Sequence, residues 1–130
     1  MKIKNRDLFS LAQSLAALSA YKLAPDDAGK TRIVLSRNLR LAREAVADLQ
    51  EARIGLINDH KAEVVRDREG NEVVSTLSAE GRAYAKAWEN LMDTESELDL
   101  GKVDYAKLKA DEAGISVDVL AGLLPILNDV

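Results

Sequence analysis

Apolar side chains return at helical spacing along much of the chain. Leu8, Leu11, Ala12, Leu15 and Leu18 predict an amphipathic helix over about 6–20, with Asn5 as its N-cap. Ahead of it Lys2, Ile3 and Lys4 alternate polar and apolar, a short extended start. The stretch YKLAPDDAG, residues 21–29, carries Pro25 and Gly29 and reads as a connection. A second, longer helix is predicted over about 30–61. Its seam steps by four and three through Leu35, Leu39, Ala42, Val46, Leu49 and Leu56, with Arg53 interrupting it. That is the heptad spacing of helices that pack along a common line. Gly55 weakens its later part by up to about 1 kcal/mol relative to alanine.

The pattern changes at residues 63–75, EVVRDREGNEVVS. Val64-Val65 and Val73-Val74 flank a polar centre with Gly70-Asn71, which predicts a β-hairpin arm; the alternative is a charged loop. Ser78 then caps a third helix, about 79–96, with Ala83 or Tyr84, Ala87, Trp88, Leu91 and Met92 on one face. Residues 97–104, ELDLGKVD, look extended, and Asp104 is placed to cap a short turn of helix holding Leu108. Ser116 caps the last helix, with Ile115 set to staple against Leu120, Leu123, Leu124 and Leu127 to bury it, and Pro125 to end it. The expected fold is therefore a single mainly α domain over 1–130: a long helical hairpin, a small β-hairpin or extended element, and a short C-terminal helix.

Length adds a constraint. A helix of ~30 residues is ~45 Å long, whereas a compact domain of this size is ~36 Å across. The second helix is either broken near Gly55 or longer than the body that carries it. An elongated helical pair exposes seam surface, and self-association is the usual way to cover it. Leu35, Leu39, Val46, Leu49 and Leu56 are accordingly the expected oligomer seam.

Composition narrows the chemistry. The chain holds 130 residues with no cysteine and one histidine, which excludes disulfides, thiolate zinc sites and a cysteine nucleophile. Neither a G-x-S-x-G elbow nor a glycine-rich phosphate loop occurs. His60 with Asp59 and Glu63 forms a D-H-x-x-E cluster, but a metal site needs three or four converging ligands. A histidine favoured by the C-terminal end of a helix is the simpler reading. Asp93, Glu95, Glu97 and Asp99 recur at every second position and read as a solvated edge backed by Leu98 and Leu100. No catalytic residue, metal or cofactor is expected. The early segment Lys2–Ala20 has a basic start like a leader peptide, but Asp7, Ser10, Gln13 and Ser14 interrupt it. No segment reaches the ~20 apolar residues of a membrane span.

The net charge of −4 is unevenly spread, with a basic first half and a strongly acidic second half. Arg37, Arg40 and Arg43 continue a basic stripe begun by Lys30 and Arg32. Such a stripe can meet phosphates, but it lacks interleaved aromatics and sits on an acidic protein. Pairing with the acidic second half, within the chain or between copies, is the favoured expectation. Glu44, Asp48 and Glu51 are also placed to pair with it along the helix.

The layout resembles a group of small phage- and prophage-encoded helical proteins of unknown function. The resemblance rests on the opening MKIKN, the basic LSRNLR start of a long helix, the charged hairpin, the ELDLGKV segment and the Ile115-Ser116 start of LAGLLPIL. Val117 departs from it, since much of that group carries proline there. The resemblance implies a viral or prophage origin and no assigned catalytic residues; the expected location is the host cytoplasm or the virion. Two roles follow as expectations. One is a self-associating virion or assembly component touching phage structural proteins. The other is an effector that binds a host protein or sequesters a signalling molecule.

Overall fold

The computed structural model describes residues 1–22 and 29–128. The protein is mainly α. In chain order the elements are β1 (Lys2–Lys4), α1 (Asn5–Leu18), α2 (Lys30–His60), β2 (Val64–Arg66), β3 (Glu72–Val74), α3 (Ala79–Asp93) and β4 (Glu95–Glu97). They are followed by β5 (Val103–Asp104), α4 (Tyr105–Leu108), α5 (Ala110–Ala113), α6 (Val117–Leu123), a 3-10 turn (Leu124–Ile126) and β6 (Leu127–Asn128). Most of the connection expected over 21–29, Pro25 included, lies outside the described residues.

α1 is the centre of the packing. Leu8 and Leu11 have no exposed surface, and Leu15 and Leu18 almost none. Each such leucine contributes about 1.5–3 kcal/mol of burial. α2 and α6 cover this helix, and α3 meets it through an edge-on contact between Phe9 and Trp88, ring centroids 6.2 Å apart. α6 crosses closely because Gly122 has no side chain: a Cβ there would strike Ser14 Oγ and the Ser10 carbonyl. Leu108, Leu123 and Ile126 close the same core from the C-terminal side.

α2 runs unbroken through Gly55, so the long-helix alternative holds. It ends at Lys61, whose left-handed conformation (φ 54°) lets its N–H reach the Asn58 carbonyl, followed by Ala62 to Ile57. The predicted seam is used within one chain: Leu35, Ala42 and Leu49 are buried in the core, and Leu39 packs against it. Past Leu49 no residue of α2 is buried. The hairpin forms as expected, with Val64 opposite Val74 and Arg66 opposite Glu72.

Two pairings join segments that local periodicity does not connect. β1 pairs antiparallel with β4, placing Lys2 opposite Glu97 and Lys4 opposite Glu95. β5 pairs parallel with β6. Asn5 does not act as an N-cap; Lys4 occupies that position. The Asn5 side chain is buried and turned to the end of α3 instead, where Nδ2 donates to the Leu91 carbonyl (2.8 Å) and Thr94 Oγ1 (3.0 Å) while Ser96 donates to Oδ1. The Leu91 carbonyl, which also accepts from the Thr94 N–H and Oγ1, and the Thr94 hydroxyl thus take the Asn5 amide away from the local cap. Asp104 likewise makes no side-chain cap; its Oδ1 accepts from Asn128 across β5 and β6. Ser78 and Ser116 do cap α3 and α6, accepting from Gly81 and Val119.

Asn38 is the fully buried polar residue of α2. Its Nδ2 donates to the Gly101 carbonyl and its Oδ1 accepts from the Gly101 N–H, both at 2.8 Å. The amide behaves as one more peptide group and fixes the 98–104 segment to the helix. A Cβ at Gly101 would come within 2.8 Å of Val34 Cγ1, so a larger residue there would have to displace the valine. Asn38→Leu strands both Gly101 backbone groups and is expected to cost about 2–4 kcal/mol. Urea unfolding measures this; a loss under about 0.5 kcal/mol would show that the segment is held by other contacts.

Candidate functional surface

The charged residues sort into one matched set and one unmatched set. On the matched side, Arg6 donates to Glu89 (2.8 Å) and Asp93 (3.0 Å). These bonds, the one to Glu89 first, push the guanidinium's pKa above its ordinary value. With Lys2 and Lys4 lying across from Glu97 and Glu95, the acidic run is answered by the chain's own N-terminal segment. Its backing is as expected, with Leu98 half-buried and Leu100 buried.

The unmatched set is the basic stripe on α2. Arg37, Arg40 and Arg43 are all exposed, and among the described residues none of them makes an ion pair or hydrogen bond. The intrachain form of the expected pairing is therefore absent from these arginines: Glu89 and Asp93 meet Arg6 and Glu97 meets the N-terminal amine instead. Glu44, Asp48 and Glu51 make no ion pair with the stripe along the helix either. Arg32, Ile33, Ser36, Arg37 and Arg40 line a shallow groove of ≈ 440 Å³. Ile33 lies within it at 56% exposure. The expected oligomer-seam residues lie off this face: Leu35 and Leu49 are buried, and Leu39, Val46 and Leu56 are half-buried.

Other clefts lie among the described residues. One of ≈ 600 Å³ lies between α1 and α6, floored by Ser10, Ser14 and Gly122 with Asp7 and Asp118 at its margins. Another, ≈ 550 Å³ and mostly apolar, runs between α2 and α3 beside Ala52, Gly55, Ala87 and Leu91. Neither brings together a nucleophile, a base and an oxyanion donor. Among the described residues no group of three His, Asp or Glu side chains is arranged to hold a metal ion. α2 stops at His60, so Glu63 lies beyond the helix cap and does not share a helical face with it. Among the described residues, no helix is long and apolar enough to cross a membrane.

The sequence reading missed Asn38 because a polar residue flanking an apolar seam looks solvated. A usable signal was its position: Asn38 falls between Leu35 and Ala42 on the buried side of the helix. No family model matches the chain, and neither a curated protein nor a solved structure matches it.

The hairpin arm adds little to the core, since Val64 and Val73 are both exposed. Replacing 66–72 with a short Gly-Asn turn should leave stability within about 1 kcal/mol; a loss of several kcal/mol in chemical unfolding would place the arm in the core. Changing Arg37, Arg40 and Arg43 together to Gln should shift stability by no more than about 0.5 kcal/mol, because no intrachain partner is lost. Neither form should bind random duplex DNA at about 150 mM salt. Submicromolar DNA binding that disappears in the triple variant would make this face a nucleic-acid interface.

Proposed function

We propose that this protein works through protein–protein contact rather than catalysis, as a self-associating component of a phage particle or of its assembly. One observation supports the contact role most directly. A 31-residue helix leaves one face uncovered along its length, and that face carries arginines with no partner among the described residues. Exposed charge of this kind is cheap in water, and it becomes specific only when an oppositely charged surface meets it. The phage setting rests on the sequence layout alone.

Sedimentation velocity at micromolar concentration should show a dimer or larger species that shifts toward monomer as salt rises. A monomer at every concentration would end the self-association reading. Affinity capture from phage-infected cells separates the two settings. Recovery of particle proteins supports the assembly role, and recovery of a single host factor replaces it with a host-directed one.

A further inference from the structure

α2 carries a second seam on the side opposite the one spent in the core. Ile33, Arg40, Ala47 and Ile54 are spaced by seven, and Arg37, Glu44, Glu51 and Asn58 fill the alternate steps of four and three. Every one of these residues is exposed. Ile33 and Ile54, at 56% and 57%, are the exposed large hydrophobic residues of the helix, and they lie near its two ends.

Charge is distributed along α2 in the direction its own backbone disfavours. Residues 30–43 carry Lys30, Arg32, Arg37, Arg40 and Arg43 and no acid, while Glu44, Asp48, Glu51 and Asp59 follow with Arg53 as the lone arginine among them. The first turn holds no acidic residue. A helix has partial positive charge at its N-terminus and negative at its C-terminus, so cations early and anions late oppose the macrodipole. That opposition acts on Lys30 and Arg32 in the first turn; Arg37, Arg40 and Arg43 lie further along and, among the described residues, make no ion pair. A second α2 lying antiparallel offsets it twice, setting each basic half on an acidic half and opposing the two dipoles.

The geometry points to a two-fold dimer in which the outer face of α2 packs antiparallel on the same face of a second copy. This rests on the self-association reading and gives that reading its interface. Centring the axis between Glu44 and Ala47 superposes the seam on itself, as alternating positions of antiparallel coiled coils do. Arg40 then faces the second copy's Glu51, and by symmetry Glu51 faces the second copy's Arg40. Ile54 packs on the aliphatic stem of the second copy's Arg37. Ile33 sits by the second copy's Asn58, and Ala47 leaves room beside Glu44. The interface is largely polar, so affinity is micromolar and salt-dependent rather than obligate.

The test uses the full chain and two single reversals, Arg40→Glu and Glu51→Arg. Both positions are exposed and unpaired, so circular dichroism and thermal melting should match the wild type. In sedimentation equilibrium each variant alone should dimerise about tenfold more weakly, because two attractive contacts become repulsive. An equimolar mixture of the two should recover nearly wild-type affinity. In the mixed dimer the glutamate introduced by one substitution meets the arginine introduced by the other, and the native Glu51 and Arg40 still face each other. No loss of fold imitates such a rescue. A wild type that dimerises while both single variants dimerise equally well removes this interface and leaves self-association standing. A mixture as weak as its components also overturns it. A wild type that is monomeric throughout removes both readings.

Discussion

α1 is too short to be stable alone and too apolar to be left uncovered. A 14-residue helix is marginal in water even with good propensity, and its Leu8, Leu11, Leu15 and Leu18 must all be enclosed. The rest of the fold is arranged to do that. α2 supplies one wall through Leu35, Ala42 and Leu49, and α6 crosses at the notch left by Gly122. α3 brings Trp88 against Phe9. Because three elements converge on one small helix, the polar groups at its margins cannot all be left to water, and two asparagines resolve this. Asn5 ties its start to the end of α3, and Asn38 ties α2 to the chain at Gly101.

Those asparagines mark the boundary of what the sequence makes legible. Helices read well where apolar spacing and end signals agree: the pattern predicts α2 at 30–61 and the helix spans Lys30–His60, and Ser78 and Ser116 cap where a short polar residue precedes an apolar run. The hairpin reads well because its pairing is local. Asn5 and Asp104 sit where caps belong, but their side chains are taken by groups from β-pairings that local periodicity does not encode. The same holds for charge. The asymmetry between the halves is visible in the sequence, but which cations meet the acids is decided by β1 lying beside β4. The apolar seam of α2 is visible too, whereas its being filled from within depends on where α1 and α3 pack.

The two sides of α2 therefore differ in kind. The inner side is apolar, and the single polar residue buried on it is fully bonded. The outer side is charged and open, with cations in its N-terminal half and acids predominating in its C-terminal half. Surface charge that stabilises nothing locally costs little to keep, and it sets orientation when surfaces meet, since like halves repel and unlike halves attract. The β2–β3 arm follows the end of α2, past its last buried residue, and is likewise free of any duty in the core.

The placement of α6 has a consequence for how the protein is made. α1 emerges from the ribosome well before the helix that crosses it at Gly122, which is encoded about a hundred residues later. At ~5–20 residues per second this leaves the leucine face of α1 incompletely covered for about 5–20 s of synthesis. β1 waits almost as long, because its strand partner is residues 95–97. The native core thus cannot be completed in a growing chain until Leu123 and Ile126 have emerged. During that interval the nascent chain carries a leucine-faced segment followed by a long, highly charged one.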